Sequence, residues 1–181
     1  MRRYTQLVLS TAALVMTASA VQAQVVTSAG GEVSKMTQQQ FVDRLIVGDS
    51  IEIAMAQLAV ERTQNPAVKD FANTLITDHR TALDSLRALS TKPDVGREQV
   101  AGEVESAGVL GQLRTMPADS TFDRAFIDAQ IASHERAIDL VKKTRPTVSS
   151  SEVQQLVDKT LPILEQHLAA AKAVSAQIPP K

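Results

Sequence analysis

The sequence predicts an all-α protein, an antiparallel four-helix bundle with one long crossover between its second and third helices. Apolar residues recur at alternating spacings of three and four along four long stretches, which is typical of helices that pack against other helices. Residues that cap helices stand at the beginning of each stretch. No stretch shows the alternation of apolar and polar residues that predicts a half-buried β-strand.

Residues 1–23 predict a secretory signal peptide. Arg2 and Arg3 form a short basic region, residues 7–20 are mainly apolar and small, and Val21-Gln22-Ala23 fits a cleavage site. The apolar run is shorter than the roughly 20 residues that span a bilayer. No cysteine follows it, which argues against a lipid anchor. We therefore expect a periplasmic or secreted protein that begins at Gln24 and has no membrane span after cleavage.

The composition of the 181-residue chain limits its chemistry and its partners. It has no cysteine, so disulfide bonds cannot stabilise it. Cleavage of the signal peptide changes the formal net charge from −1 to about −3, and charges of both signs are interleaved. Because no basic stripe remains to neutralise phosphates, the sequence argues against nucleic acid as a partner. It identifies no protein partner.

The first two helices of the bundle domain, residues 37–177, have clear boundaries. Residues 24–36 are a polar lead-in that we predict to be disordered. The spacing Thr37-x-x-Gln40 is a capping box, and it begins a helix that runs to about Thr63. Asn65-Pro66 then supplies an N-cap and a proline in the first turn of the second helix. That helix is predicted to end near Ser90.

The crossover and the last two helices follow. Residues 91–118 are rich in glycine and proline and far longer than an ordinary turn between bundle helices, although 100–113 could form a short helix. Asp119 or Ser120 begins the third long helix, which ends before Pro146. The fourth begins in the serines at 149–151. It contains Pro162, which should bend it.

Each apolar stripe carries one glutamate or histidine near the middle of its helix. These residues are Glu52, His79, His134 and His167, and they include every histidine of the chain. Counted from the helix caps at about 1.5 Å per residue, the four lie at depths that agree within one turn. In an antiparallel bundle of similar helices, we expect their side chains to converge.

Two interpretations of this group stay open. Three imidazoles and one carboxylate are a ligand set for one divalent transition metal, Zn²⁺ or a mononuclear Fe or Mn centre. Alternatively, Glu52 accepts hydrogen bonds from the histidines in a buried network without metal. The protein would then be a structural or interaction protein of the cell envelope. A hydrolase or oxidase would need an open coordination position beside a pocket, and the sequence assigns no catalytic residue.

Charged neighbours of these four residues are predicted to lie outside the core. Asp78, Glu135 and Glu165 lie one or two residues from the histidines, so they are turned about 100° or more away from the apolar stripe. We interpret them as surface charges, one of which could orient an imidazole. Asp49 is interpreted as a residue at the boundary of the core.

Gly48 lies on the apolar stripe of the first helix, one turn before Glu52. Glycine within a helix costs about 1 kcal/mol relative to alanine. Either a neighbouring helix packs closely at this position, or a ligand needs space beside Glu52.

Three stretches carry a resemblance to a known family: VGDSIEIAMAQLAVERTQNPAVKDFANTLITDH at 47–79, FDRAFIDAQIASHERAI at 122–138 and KTLPILEQHLAAAK at 159–172. They are similar to the secreted bacterial family known as domain of unknown function 4142, over residues 36–174. Members are often described as outer-membrane or ferritin-like proteins. The resemblance implies a ferritin-like four-helix bundle in the cell envelope without an assigned activity. It also implies that the family's recurrent polar core positions are Glu52, His79, His134 and His167.

The sequence departs from the di-iron proteins of the ferritin-like class. Those proteins use a glutamate from each of two helices and Glu-x-x-His from each of the other two. Here Ile76, Ile131 and Leu164 stand three residues before the histidines. A di-iron centre is therefore not predicted. The similarity in fold carries no activity with it, so the question of an enzymatic role stays open.

Overall fold

The structure, a computed structural model, describes residues 36–90 and 101–178. The predicted signal peptide, all of the predicted lead-in except Met36 and the first part of the crossover lie outside the described residues. The described part of the chain is all-α and contains no strand. Five α-helices and one 3₁₀ turn follow in the order α1 (Gln38–Arg62), α2 (Pro66–Leu89), α3 (Ala101–Thr115), α4 (Ser120–Thr144), the turn (Arg145–Thr147) and α5 (Ser151–Ser175).

The predicted caps are present at the first turns of the helices. At α1, Thr37 Oγ1 accepts the N–H of Gln40 at 3.2 Å, and Gln40 Oε1 accepts the N–H of Thr37 at 2.8 Å. Asn65 Oδ1 accepts the N–H of Ala67 at 2.9 Å and begins α2. Asp119 and Ser150 cap α4 and α5 in the same way. These bonds satisfy N–H groups that have no partner within the helix.

Two arginines bind the last carbonyl groups of other segments. Arg62, in the last turn of α1, donates to the carbonyls of Leu113 and Arg114 at 3.1 and 2.7 Å, and also to that of Met116. Arg124, near the start of α4, donates to the carbonyls of Ser175 and Ile178 behind α5. Carbonyls at helix ends have no partner within the helix. These arginines therefore fix the ends of α3 and α5.

The buried apolar residues form two clusters, which contain side chains from all four long helices. We call the first the Phe126 cluster; its principal members are Met55, Ala59, Val68, Phe71, Leu75, Leu113, Phe122, Phe126, Ile127, Ala171 and Val174. We call the second the Phe41 cluster; its members are Phe41, Val42, Ile46, Leu83, Leu86, Val141, Val148, Val153, Val157 and Leu164. Along each long helix, the polar residue of the stripe lies between the two clusters.

The helices pack mainly in pairs, α1 with α2 and α4 with α5. The pairs meet where α2 contacts α5 and α1 contacts α4, and α3 packs against α1 and α4. Within the described residues, none of the helices has an apolar stretch long enough to cross a bilayer. This packing places the middles of α1, α2, α4 and α5 around a shared polar layer.

Candidate metal centre

Three histidines from three helices meet in the polar layer. His79 on α2, His134 on α4 and His167 on α5 are 4%, 1% and 3% exposed, respectively. Their ring centroids are 5.3 to 5.7 Å apart. One ring nitrogen of each lies within 4.8 Å of the corresponding nitrogens of the other two, close enough to bind one ion. The predicted convergence of the three histidines is therefore present.

His79 is oriented by a carboxylate from the neighbouring helix. Its Nδ1 lies 2.9 Å from Oδ1 of Asp49 on α1. Since an ionised carboxylate only accepts, Nδ1 carries a proton, and in the neutral ring Nε2 carries the lone pair. Nε2 is buried and has no hydrogen-bond partner. Asp49, interpreted from the sequence as a boundary residue, thus fixes the ring whose free nitrogen belongs to the centre.

His134 is oriented by its own helix. Its Nδ1 lies 2.8 Å from the backbone carbonyl oxygen of Gln130, one turn earlier in α4. A carbonyl oxygen only accepts, so Nδ1–H donates and the lone pair is on Nε2. That Nε2 lies 3.3 Å from Nδ1 of His167.

His167 is oriented by α2. Its Nε2 lies 2.9 Å from Oδ2 of Asp78, so Nε2–H donates to the carboxylate and the lone pair is on Nδ1. In the neutral rings, the lone pairs of His134 Nε2 and His167 Nδ1 consequently meet at 3.3 Å without a proton between them. A cation between these nitrogens would accept both lone pairs.

Burial and neighbouring carboxylates together shift the pKa values of the three histidines. Burial lowers the pKa of His134 to about 4, and the negative charge of Glu52 offsets only part of this effect. Burial also lowers the pKa of His167, despite its hydrogen bond to Asp78. At His79 burial acts in the same direction, but the hydrogen bond and charge of Asp49 outweigh it and raise the pKa. His134 and His167 are therefore neutral at pH 7, the form that coordinates metal.

The fourth predicted residue, Glu52, lies in the same layer but outside the group of three. Its side chain is 8% exposed, and its charge acts on all three histidines. Oε2 is buried and has no hydrogen-bond partner. Among the described residues, however, the group of side chains that can jointly hold an ion comprises only the histidines. Direct coordination by Glu52 stays a prediction.

A cavity of about 130 Å³ adjoins the histidines. It lies among α1, α2, α4 and α5, and His79, His134, Asp49 and Glu52 line it. Gly48 also lines it, and no heavy atom lies within 4 Å of the position that a Cβ atom would occupy there. Of the two explanations for this glycine, close packing of a neighbouring helix is wrong. Gly48 instead borders open space beside Glu52.

Two of the three charged neighbours of the histidines lie on the surface, as the sequence predicts, and the third bonds to a histidine. Glu135 and Glu165 are exposed and form ion pairs with Lys172 and Lys142 at 2.8 and 2.7 Å, as predicted for surface charges. Asp78 departs from that pattern, because it bonds to a histidine of a different helix rather than to its sequence neighbour. Its rotation of about 100° from His79 is what turns it toward α5.

The sequence profile described as "Domain of unknown function (DUF4142)" matches residues 22–174. The chain belongs to this family. In a comparison with curated proteins, no sequence matches this DUF4142 protein significantly.

Two solved structures are similar in fold. One is the crystal structure of a DUF305 fragment from Deinococcus radiodurans, with a TM-score of 0.67, 19% identity, and coverage of 78% of this chain and 97% of that one. The other is CopM in the Cu(II)-bound form, with a TM-score of 0.62, 19% identity, and coverage of 77% and 95%. At this identity the similarity concerns the fold alone.

Proposed function

We propose that the protein binds one divalent transition metal ion through His79 Nε2, His134 Nε2 and His167 Nδ1. The observation that carries this proposal is the direction of the three rings. Each ring donates one N–H to an oxygen atom, of Asp49, Gln130 or Asp78, and one nitrogen of each ring lies within 4.8 Å of one nitrogen of each of the others. Histidines that bind metals characteristically donate their second N–H to a carboxylate or a backbone carbonyl.

The alternative, a polar network without metal, accounts for fewer of these contacts. It leaves His79 Nε2 buried without a partner, and such an atom normally costs about 1–3 kcal/mol. It also leaves two lone pairs facing each other at 3.3 Å. An ion would satisfy the three nitrogens, and the carboxylates of Glu52, Asp49 and Asp78 would balance its charge.

The ligand type restricts the metal but does not select one. Imidazole suits Zn, Cu, Fe and Ni. The sequence favoured Zn, Fe or Mn, and the similarity in fold to CopM, a protein solved with Cu(II), adds copper to the ions worth testing. The single glutamate of the layer argues against a di-iron centre.

The scaffold of this site is, we infer, an antiparallel four-helix bundle of the ferritin-like type. The order of the two apolar clusters along the chain supports this arrangement. The helices α1 and α5 run from the Phe41 cluster to the Phe126 cluster, while α2 and α4 run in the opposite direction. Since α2 and α4 run the same way, the chain must cross the length of the bundle between them, as the long segment 91–118 predicts.

The proposed setting is the bacterial periplasm or the secreted fraction, on the strength of residues 1–23. The role would be metal binding or sensing, or protection of the envelope against stress. A structural or interaction protein of the envelope is the alternative if no metal binds.

Metal binding can be tested through its effect on thermal stability. The protein is purified without a histidine tag, freed of metal and titrated with Zn²⁺, Cu²⁺, Co²⁺, Fe²⁺ or Mn²⁺. The melting temperature should rise with the logarithm of the ion concentration, as ligand linkage requires. The rise should be lost in His79→Ala, His134→Ala and His167→Ala and retained in the surface variant Glu165→Gln. If no ion shifts the melting temperature of the parent protein, the structural alternative replaces the metal site.

A further inference from the structure

The cavity beside the histidines has a mixed lining. Its walls are mainly apolar, with Leu45, Leu86, Leu140, Leu156 and Leu164 among them. Its polar part combines His79 and His134 with the carboxylates of Asp49 and Glu52. Three of the buried polar atoms without a hydrogen-bond partner belong to residues that line this cavity: Asp49 Oδ2, Glu52 Oε2 and His79 Nε2.

An ion on the three histidines would satisfy only one of these atoms, His79 Nε2. Three protein nitrogens leave at least one position of a tetrahedral ion open. His79 and His134 line the cavity, so the proposed ion and the cavity share two residues. The carboxylates of Asp49 and Glu52 line it too, and one oxygen of each still lacks a hydrogen-bond donor.

We propose that the cavity binds a small nitrogen heterocycle, which coordinates the metal through one nitrogen and donates an N–H to Glu52. This inference rests on the proposed metal site and adds a second ligand to it. The volume of about 130 Å³ is similar to that of an engineered apolar cavity of about 150 Å³ that binds benzene. A single five- or six-membered ring therefore fits, and the leucine walls cover its apolar edges.

The carboxylates select against anions at this position. Glu52 is buried, its Oε2 has no partner, and an ionised carboxylate can only accept hydrogen bonds. A neutral N–H donor satisfies it, whereas an anion meets like charge in a region of low dielectric constant. Arg44 and Arg136 also line the cavity, but both interact with other groups, and Arg136 is exposed to solvent.

The test uses the Co²⁺-loaded protein, whose visible spectrum reports the coordination of the ion. Imidazole and azide serve as probes of similar reach and different charge. Imidazole should change the spectrum, and this change should saturate as the imidazole concentration rises. Imidazole should also bind at least about tenfold more tightly than azide, since a buried hydrogen bond to a charged group has an effect of this size. Glu52→Gln, which removes the charge, should reduce this preference.

Gly48 provides a matched pair of variants. Apart from its own helix turn, no heavy atom lies within 4 Å of a Cβ atom at this position, and Gly48 lines the cavity, so a larger side chain would extend into the cavity. Gly48→Leu should weaken imidazole binding by about tenfold or more without changing the affinity for Co²⁺. Gly48→Ala makes the same change in helix propensity with little added volume and should bind imidazole like the parent.

The outcomes separate this inference from the metal site. If Co²⁺ binds and imidazole leaves the spectrum unchanged, the cavity is not a ligand site, although the metal site stands. Equal imidazole affinity in Gly48→Leu and the parent would place the ligand elsewhere and overturn the inference. Azide binding as tight as imidazole binding contradicts the proposed ligand class. If neither Co²⁺ nor any of the other four ions binds, both proposals fail together.

Discussion

Asp78 Oδ2 accepts a hydrogen bond from His167 Nε2 at 2.9 Å, although the two residues are 89 positions apart in the sequence. Asp78 is adjacent to His79 in α2, yet it orients the histidine of α5. At the same time, Asp49 on α1 orients His79. Each of these carboxylates therefore couples a neighbouring helix to the position of one imidazole ring.

The role of Asp78 can be measured directly. Asp78→Asn keeps the size of the side chain but removes the charge that holds His167 in its orientation. We expect the affinity for Zn²⁺ to fall about 10- to 100-fold, as is usual when a group that orients a metal ligand is replaced. Competition with a chromophoric chelator measures this affinity. Glu135→Gln, on the surface beside His134, is the matched control, and an equal loss in both variants would contradict the role of Asp78.

In the metal-free protein, protonation of His134 should oppose folding as the pH falls below neutrality. Its pKa is about 4 in the folded chain and about 6.5 in the unfolded chain, so the unfolded state binds the proton more readily. Well above pH 6.5, His134 is neutral in both states and does not change the free energy of unfolding. As the pH falls toward 4, it lowers that free energy progressively. From pH 7 to pH 5 it should lower the free energy of unfolding by about 2 kcal/mol.

Other groups of the layer titrate in the opposite direction, which requires a comparison with a variant. The pKa values of His79 and Asp49 are both raised in the folded chain, so their protonation favours folding. Urea unfolding of the parent and of His134→Gln, at pH 7 and pH 5 in EDTA, isolates the contribution of His134. The parent should lose more stability than the variant over this interval. The same loss in both proteins would rule out the lowered pKa.

The register of α2 predicts different effects at two adjacent positions. Leu75 is fully buried in the Phe126 cluster, while Thr74 is exposed. Leu75→Asp should unfold the protein because it buries a charge without a partner. Thr74→Asp should leave the helical circular dichroism and the melting temperature nearly unchanged. A folded Leu75→Asp variant would show that the register is wrong.

Export is proposed from residues 1–23 and can be tested by mass spectrometry. Protein recovered from its native host should begin at Gln24, because a signal peptidase removes the preceding segment. An intact mass that includes Met1 or the following residues of the basic region would contradict export by this signal.

The helices could be predicted closely because the information for them is local. Thr37, Asn65 and Pro66 mark helix ends through contacts within a few residues, and the spacing of apolar residues identifies the buried face. The same spacing was sufficient to predict that the three histidines lie in one layer. Asp49 and Asp78 could not be assigned in this way. Their partners lie on other helices, and the rotation of one helix against the next depends on side-chain packing that periodicity does not contain.

The position of the cavity relative to the two arginines has a consequence for the exchange of the ion. Arg62 and Arg124 fix the ends of α3 and α5 near the Phe126 cluster, whereas the apolar walls of the cavity, including Leu86, Val157 and Leu164, belong to the Phe41 cluster. An ion that reached the histidines through this cavity would pass the side chains of the Phe41 cluster. Its rates of loading and release would then depend on the motions of α1 and α4 around Gly48.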